Sequence, residues 1–155
     1  MNYLQLNSFK KGNDFIKFQE GKFEVVFSTA ENNKSFNRNT EEGIKELEAL
    51  IDKFHGENVE YLKQIHSNKV YTYRKGSNEF KDNEGDALIT NEKKVIIGVF
   101  TADCVPVILV DKENEAIAAI HSGWKGTFSS IVTETILRMK EEYNSKAENI
   151  VAYIG

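Results

Sequence analysis

The sequence is poor in several residue types that build special structures. Its 155 residues include one cysteine, one proline and one tryptophan. A single cysteine cannot form an internal disulfide bond, so the reducing cytoplasm is the expected compartment. No apolar run approaches the ~20 residues that a membrane-spanning helix needs. Residues 1–5 lack the charged start and the apolar core of a signal peptide, so we expect none, and no membrane partner.

Basic residues are not in excess either. The sequence has 20 lysines and arginines against 24 acidic residues, which gives a net charge of −4. A nucleic-acid-binding surface would need a basic excess, so no nucleic-acid partner is expected. The hydrophobic content of 40% and the charged content of 28% are ordinary for a globular protein. Because no repeat or linker interrupts residues 1–155, we expect them to form a single domain.

The spacing of apolar residues changes along the chain from a β pattern to an α pattern. Residues 1–30 alternate between apolar and polar and contain a turn at residues 19–22, as in a hairpin. Over residues 44–54, the apolar residues fall on one face of a helix. Asn39 is the expected N-cap of this helix, with Glu42 as its capping-box partner.

Short apolar runs predict the remaining strands, and a second helix follows a predicted turn at residues 123–127. The predicted strands are residues 61–73 (as one or two strands), 95–100, 105–110, 115–120 and 150–154. The last of these runs ends the sequence. Because a terminal strand usually leads into further structure, we expect the sequence to be the first part of a longer protein.

Two of the three histidines and the only cysteine lie in segments with the composition of a functional site. They are His66, Cys104 and His121, within Gln64–Ser67, Thr101–Cys104 and Ile120–Trp124. Two imidazoles and a thiolate form the ligand set of a catalytic zinc with an open fourth position. A metal-free hydrolase is an alternative, since it needs only a thiol beside a histidine base. Two ordinary histidines and a cysteine buried for packing also fit.

Two further features carry polar groups that suit catalysis. Asp86 stands at the start of an apolar run, where it would act as a general base or orient a ligand. A turn aspartate before a strand is the alternative. Residues 123–127 lead from a strand into a helix, and their glycines together with Lys125 would suit a bound phosphate. Their spacing is not that of a P-loop, and an ordinary turn with a solvated lysine fits equally well.

Together these segments resemble, in order and spacing, the laccase-domain family. Its members are variously named polyphenol oxidase, peptidoglycan editing factor and purine nucleoside phosphorylase. The motifs that carry the resemblance are residues 64–70, 85–90, 101–107 and 121–127, within a match over residues 23–155. The resemblance implies a layered α/β sandwich of mixed sheets and packed helices, similar to the catalytic domain of cytotoxic necrotizing factor toxins. It also implies that the fold is incomplete here at its C-terminal end.

The resemblance implies a metal site as well. His66, Cys104 and His121 match the metal-binding residues of the family, and Cys104 and His121 are then catalytic residues too. Zinc is the simpler occupant, and copper is the alternative. A multicopper laccase needs more histidine ligands than the three in this sequence, so the oxidase name fits poorly. Asp86 or Asp103 would orient a ligand or move a proton.

The activity that the resemblance implies is that of a purine nucleoside enzyme. It would carry out phosphorolysis of adenosine, inosine and methylthioadenosine, and deamination of adenosine. The small-molecule substrates would be a purine nucleoside and phosphate, with the phosphate held by Gly123, Lys125 and Thr127. One alternative is an amide hydrolase acting on a cell-wall precursor, with Cys104 as nucleophile and His121 as base. A copper-dependent polyphenol oxidoreductase and a non-catalytic binding module are the others.

Overall fold

The computed structural model of the protein describes residues 9–12, 14–29, 31–77 and 80–155. The strands in this part of the chain are β1 (Phe9–Lys11), β2 (Phe15–Glu20), β3 (Phe23–Ser28), β4 (Asn58–Glu60), β5 (Val70–Thr72), β6 (Ala87–Thr90), β7 (Val95–Ile97), β8 (Val105–Asp111), β9 (Ala116–Ser122) and β10 (Ile150–Ile154). The α-helices are α1 (Glu41–Lys53), α2 (Trp124–Phe128) and α3 (Ile131–Tyr143). Within the described ranges, no helix combines the length and the apolar character needed to span a bilayer.

A five-stranded mixed sheet forms the centre of the molecule, in the order β10-β8-β9-β6-β5. Its strands are antiparallel except for β5 and β6, which run parallel. β1, β2 and β3 form a separate antiparallel sheet, and β4 pairs with β7 in a parallel ladder of two strands. Mixed sheets with packed helices were the predicted fold class, and the structure confirms it.

The alternation of side chains along β8 and β9 explains the layers. Leu109 and Ile120 point to one face of the central sheet, where they pack with Ile131 and Met139 of α3. On the opposite face, Val110 packs against β3 and β10. Successive side chains of a strand point to opposite faces, so a strand covered on both sides is apolar at nearly every position. The central sheet is therefore the middle layer of a sandwich between α3 and the sheet that contains β3.

The hairpin and the first helix are confirmed, with one correction at the helix start. β2 and β3 pair across a turn in which Gly21 has a φ of +60°, while residues 1–8, 13 and 30 lie outside the described part. The N-cap of α1 is Thr40, whose hydroxyl accepts the N–H of Gly43 at 3.1 Å. The prediction of Asn39 was wrong because the helix begins at Glu41, one residue later than an N-cap at Asn39 requires.

Two other predictions need correction. The segment predicted as strand over residues 61–73 is mostly irregular, since β4 ends at Glu60 and β5 begins at Val70. His66 thus lies in a loop, where it has a left-handed φ of +60°. Residues 123–127 do not form a simple turn, because Trp124–Phe128 make the short helix α2 with Gly123 as its N-cap. Both segments border the candidate site described next.

Candidate metal centre

Separate elements bring the two histidines and the cysteine together. His66 lies in the loop between β4 and β5, Cys104 directly precedes β8, and His121 lies near the end of β9. β8 and β9 are antiparallel with Val105 opposite Ser122, so the start of β8 meets the end of β9. The possible ligand atoms of His66, Cys104 and His121 all lie within 4.8 Å of one another. The structure therefore brings the predicted ligand set into one cluster.

These separations suit a metal ion held by nitrogen and sulfur. The Sγ atom of Cys104 lies 3.7 Å from Nε2 of His66. The centroids of the two imidazole rings are 4.8 Å apart, and the ring planes cross at 81°. A Zn–S bond of ~2.3 Å and a Zn–N bond of ~2.0 Å at a tetrahedral angle place sulfur and nitrogen roughly 3.5 Å apart. The donor set and the distance between Cys104 and His66 therefore suit zinc, and copper accepts the same donors.

The cluster is buried on one side and open on the other. His121 is buried, with 3% of its surface exposed, whereas Cys104 is half-buried and His66 is exposed. A metal held here would have protein on the side of His121 and a free approach beside His66 and Cys104. Catalytic zinc sites keep such an open position, whereas structural sites are closed by a fourth protein ligand.

Asp86 fixes the orientation of His121. The Nδ1 atom of His121 donates to Oδ1 of Asp86 at 2.8 Å, and Asp86 is completely buried. A hydrogen bond at Nδ1 leaves Nε2 free as the coordinating nitrogen, as is usual for metal-binding histidines. Burial alone would raise the pKa of Asp86, but hydrogen bonds from His121, Ser67 and His66 lower this pKa to about 2. The carboxylate is therefore charged at neutral pH.

The same carboxylate holds the loop that carries His66. The backbone N–H groups of His66 and Ser67 donate to Asp86 at 2.9 Å and 2.6 Å, and the hydroxyl of Ser67 donates at 2.7 Å. The N–H of Ile65 makes a longer bond of 3.3 Å. The left-handed backbone of His66 is unfavourable by roughly 1–2 kcal/mol for a residue with a Cβ atom. These charge-assisted bonds offset that strain, so Asp86 positions both histidines.

Two glycines allow the close approach of the ligand loops. A Cβ atom on Gly123 would lie 2.7 Å from Cδ2 of His66 and 3.2 Å from Sγ of Cys104. A Cβ atom on Gly126 would lie 3.0 Å from the carbonyl oxygen of Ser67. Gly123 was predicted to bind phosphate, and the structure places it directly against the side chains of His66 and Cys104. Its proximity to His66 and Cys104 was not visible in the sequence.

Cys104 lies between an acidic neighbour, Asp103, and the imidazole of His66. Burial, followed by the charge of Asp103, raises the pKa of the Cys104 thiol above its ordinary value. The Oδ1 atom of Asp103 lies 3.7 Å from Sγ, and Asp103 itself is exposed. A metal ion deprotonates a coordinating thiol outright, so ligation overcomes this raised pKa. The environment favours Cys104 as a metal ligand over Cys104 as a free nucleophile.

The other predicted phosphate residues lie on α2. Lys125 is exposed, with its Nζ atom 5.5 Å from the ring centroid of Trp124. The hydroxyl of Thr127 is already bound, to the carbonyl oxygen of Gly123 and to the Ser122 hydroxyl, each at 2.9 Å. Lys125 thus presents an exposed ammonium group two residues after Gly123, whereas the hydroxyl of Thr127 is taken up by bonds within this segment. The role of Ser67 was missed, although a polar residue directly after His66 was a usable signal.

Comparisons with known proteins agree with the motifs. A family described as multi-copper polyphenol oxidoreductase laccase matches residues 17–155. A purine nucleoside phosphorylase of Clostridium acetobutylicum is 50% identical over 141 residues, which cover 91% of this chain and 58% of that protein. A purine nucleoside phosphorylase of Bacteroides thetaiotaomicron is 53% identical over 70 residues, which cover 45% of this chain and 26% of that protein. The chain thus spans less than two thirds of the length of these relatives.

Solved structures share the fold. The Bacillus licheniformis hypothetical protein YfiH superposes with a TM-score of 0.80 at 21% identity, over 96% of this chain and 64% of that one. A Neisseria meningitidis protein superposes with a TM-score of 0.73 at 25% identity, over 92% of this chain and 62% of that one. These neighbours confirm the predicted family fold. The likeness to cytotoxic necrotizing factor toxins and the single-domain organisation stay predictions.

Replacing the buried carboxylate should weaken metal binding. In Asp86→Asn, the His121 ring loses its charged partner and the loop donors lose theirs, so we expect the affinity for Zn²⁺ to fall ~10–100-fold. Competition with a chromophoric chelator measures this affinity. Asp82→Asn makes the same change at a side chain that is 97% exposed and is the matched control. Equal affinities in the Asp86 variant and the wild type would show that Asp86 does not position the ligands.

A methyl group at position 123 should disturb the centre by its volume alone. Gly123 has a φ of −71°, which alanine adopts freely, so Gly123→Ala tests space and not backbone strain. Since overpacking costs ~1–3 kcal/mol, we expect a loss of metal affinity of about tenfold or more. Gly98→Ala is the control, because a Cβ atom there meets nothing within 4 Å. Unchanged metal affinity in Gly123→Ala would contradict the close approach of His66 and Cys104 to this glycine.

Proposed function

Because this chain belongs to the multi-copper polyphenol oxidoreductase laccase family, we propose that it carries the metal centre of a purine nucleoside enzyme. The activities proposed are phosphorolysis of adenosine, inosine and methylthioadenosine, and deamination of adenosine. The observation that carries the proposal is the cluster of His66, Cys104 and His121, open on one side and positioned by Asp86. The names of the relatives point to the same reaction class. We propose a cytoplasmic location for the enzyme.

Zinc is the metal proposed for this centre. Two imidazole nitrogens and one thiolate are a known ligand set of catalytic zinc. The sequence has three histidines, of which His55 lies outside the cluster, so a multicopper centre would lack ligands. When bound, the metal would act as a Lewis acid and lower the pKa of a water molecule at its open position. Copper in the same ligand set is the alternative.

Asp86, Lys125 and Asp103 would each have a separate role beside the metal. Asp86 keeps His121 in the tautomer that presents Nε2, and it holds the loop that presents His66. In phosphorolysis, phosphate takes the place of the purine on the sugar, so the reaction needs a site for an anion beside the nucleoside. Lys125 is the cation proposed for that site, because it is exposed on α2 next to Gly123. Asp103 is exposed beside Cys104 and would move a proton at the open side of the centre.

One observation favours a second candidate, the metal-free amide hydrolase. A histidine oriented by a buried carboxylate, close to a cysteine, also resembles the base of a Cys–His–Asp hydrolase. The raised pKa of Cys104 argues against this candidate, because the nucleophile is the thiolate and not the thiol. In addition, the Sγ atom lies within 3.7 Å of Nε2 of His66, whereas the histidine that Asp86 orients through a side-chain hydrogen bond is His121.

Removal of one ligand should abolish metal binding and activity together. In Cys104→Ala, two imidazoles remain, so we expect the metal affinity to fall more than ~100-fold, beyond the ~10–100-fold typical of changes around a ligand. Metal analysis of the purified full-length protein and turnover of inosine are measured in parallel. A variant without metal but with full turnover would reject the metal enzyme. Inactivation by a cysteine alkylator with no effect of a chelator would support the hydrolase instead.

Reversal of the charge at Lys125 should separate the two proposed activities. In Lys125→Glu, a carboxylate faces the incoming phosphate, and the lost charged hydrogen bond corresponds to a rise of ~10–100-fold in the KM for phosphate. Deamination of adenosine in phosphate-free buffer needs no anion and should survive. Lys146→Glu is the control. Lys146 is exposed and lies near Ile150, which pairs with Asp111 at the end of β8 that is away from Cys104. An equal loss of both activities would mean that Lys125 does not bind phosphate.

A further inference from the structure

The side chain of Gln64 joins the two loops that carry His66 and Cys104. Its Nε2 atom donates to the carbonyl oxygen of Phe100 at 2.7 Å, and the N–H of Phe100 donates to its Oε1 atom at 2.7 Å. The amide thus makes the pair of bonds that two facing residues of an antiparallel ladder exchange. It stands two residues before His66, and Phe100 stands four residues before Cys104.

Apolar packing holds the ring of Phe100 in place. Its ring packs edge-on against the buried Tyr61, with the ring centroids 5.1 Å apart. It also borders the apolar cluster that includes Leu47 and Val59. The N–H of Gly98, two residues earlier, donates to the carbonyl oxygen of Glu60 at the end of β4. Packing therefore holds the ring of Phe100, whereas the Gln64 amide binds its backbone N–H and carbonyl groups, directly before the segment that leads to Cys104.

The segment between Phe100 and Cys104 has less support of its own. Thr101, Ala102 and Asp103 are all exposed and form no strand or helix. After the cysteine, the chain enters β8, where Val105 pairs with Ser122. The position of Cys104 therefore depends on what holds the chain on either side of it, at Phe100 and in β8. Gln64 binds at Phe100.

The two histidines are held in a different way. Asp86 binds His121 and the backbone of the His66 loop through its own hydrogen bonds. These bonds do not pass through Gln64 or Phe100. Loss of the Gln64 amide would therefore leave the histidine pair in place and release the segment that carries the thiol. We propose that Gln64 is a positioning residue that sets Cys104 at coordinating distance from the metal held by the two histidines.

The inference rests on the proposed metal centre, and Co²⁺ provides a readout other than activity. In the full-length protein loaded with Co²⁺, thiolate ligation gives a sulfur-to-metal charge-transfer band, whereas imidazole ligation contributes to the d–d bands. Gln64→Met keeps the length of the side chain and removes both hydrogen bonds. We expect this variant to bind Co²⁺ with the charge-transfer band lost and the d–d bands kept. Alkylation of Cys104 by iodoacetamide, slow in the loaded wild type, should become as fast as in the metal-free protein.

Asn68→Ala is the matched control. It removes another amide of the same loop, which donates to the carbonyl oxygen of Ser129 at 3.2 Å and does not reach the Cys104 segment. This variant should keep the charge-transfer band. A wild-type band in Gln64→Met would overturn the inference and leave the metal centre intact. A wild-type protein that binds no Co²⁺ would reject the metal centre, and the inference with it.

A second variant covers a failure of Gln64→Met to fold, which circular dichroism detects. Gln64→Asn keeps the amide but is one methylene too short to reach both backbone groups of Phe100. A folded Gln64→Asn protein that loses the charge-transfer band supports the inference, and one that keeps the band overturns it. Unfolding of both variants, with Asn68→Ala folded, would show that Gln64 is required for the fold and would overturn its specific role at Cys104.

Discussion

The buried carboxylate of Asp86 is the interaction on which the rest of the site depends. A charged group without solvent must be paired and hydrogen-bonded, or its burial is strongly unfavourable. Asp86 meets this requirement with the imidazole of His121, the N–H groups of the His66 loop and the hydroxyl of Ser67. The same bonds that stabilise the charge also position two metal ligands. The bonds that stabilise this buried charge are therefore the same bonds that set the geometry of the centre.

The central sheet provides the place where that requirement can be met. β8 and β9 are covered by α3 on one face and by the sheet containing β3 on the other. Asp86 directly precedes β6, and His121 pairs with Pro106 in the ladder of β8 and β9. Polar groups at the ends of buried strands are close to the apolar core but are still within reach of loops. The loop with His66 and the segment with Cys104 then close over this end of the sheet.

The centre is asymmetric, and that asymmetry supports the proposed chemistry. His121 is buried, whereas Cys104 and His66 border solvent. Trp124 and Lys125 directly follow Gly123, and 73% of the surface of Trp124 is exposed. An exposed aromatic ring and an exposed lysine next to Gly123 suit the flat base and the anion of the proposed reaction. The chain spans 58% of the Clostridium relative.

The sequence by itself determined most of the elements and the candidate ligands. The apolar runs of β8 and β9, the apolar face of α1 and the motifs around His66, Cys104 and His121 were all visible in it, because periodicity and residue type are local properties. The predicted N-cap at Asn39 was wrong, since the neighbouring Thr40 has a side-chain oxygen too and accepts the N–H of Gly43 instead.

Only the tertiary structure decided how the ligands are held. The bonds from Asp86 to His66 and His121 span 20 and 35 residues, and those from Gln64 to Phe100 span 36. The approach of Gly123 to His66 and Cys104 depends on three elements packed together. The register of the strands and the packing of the layers determine which residues become partners. Local sequence patterns do not contain this information.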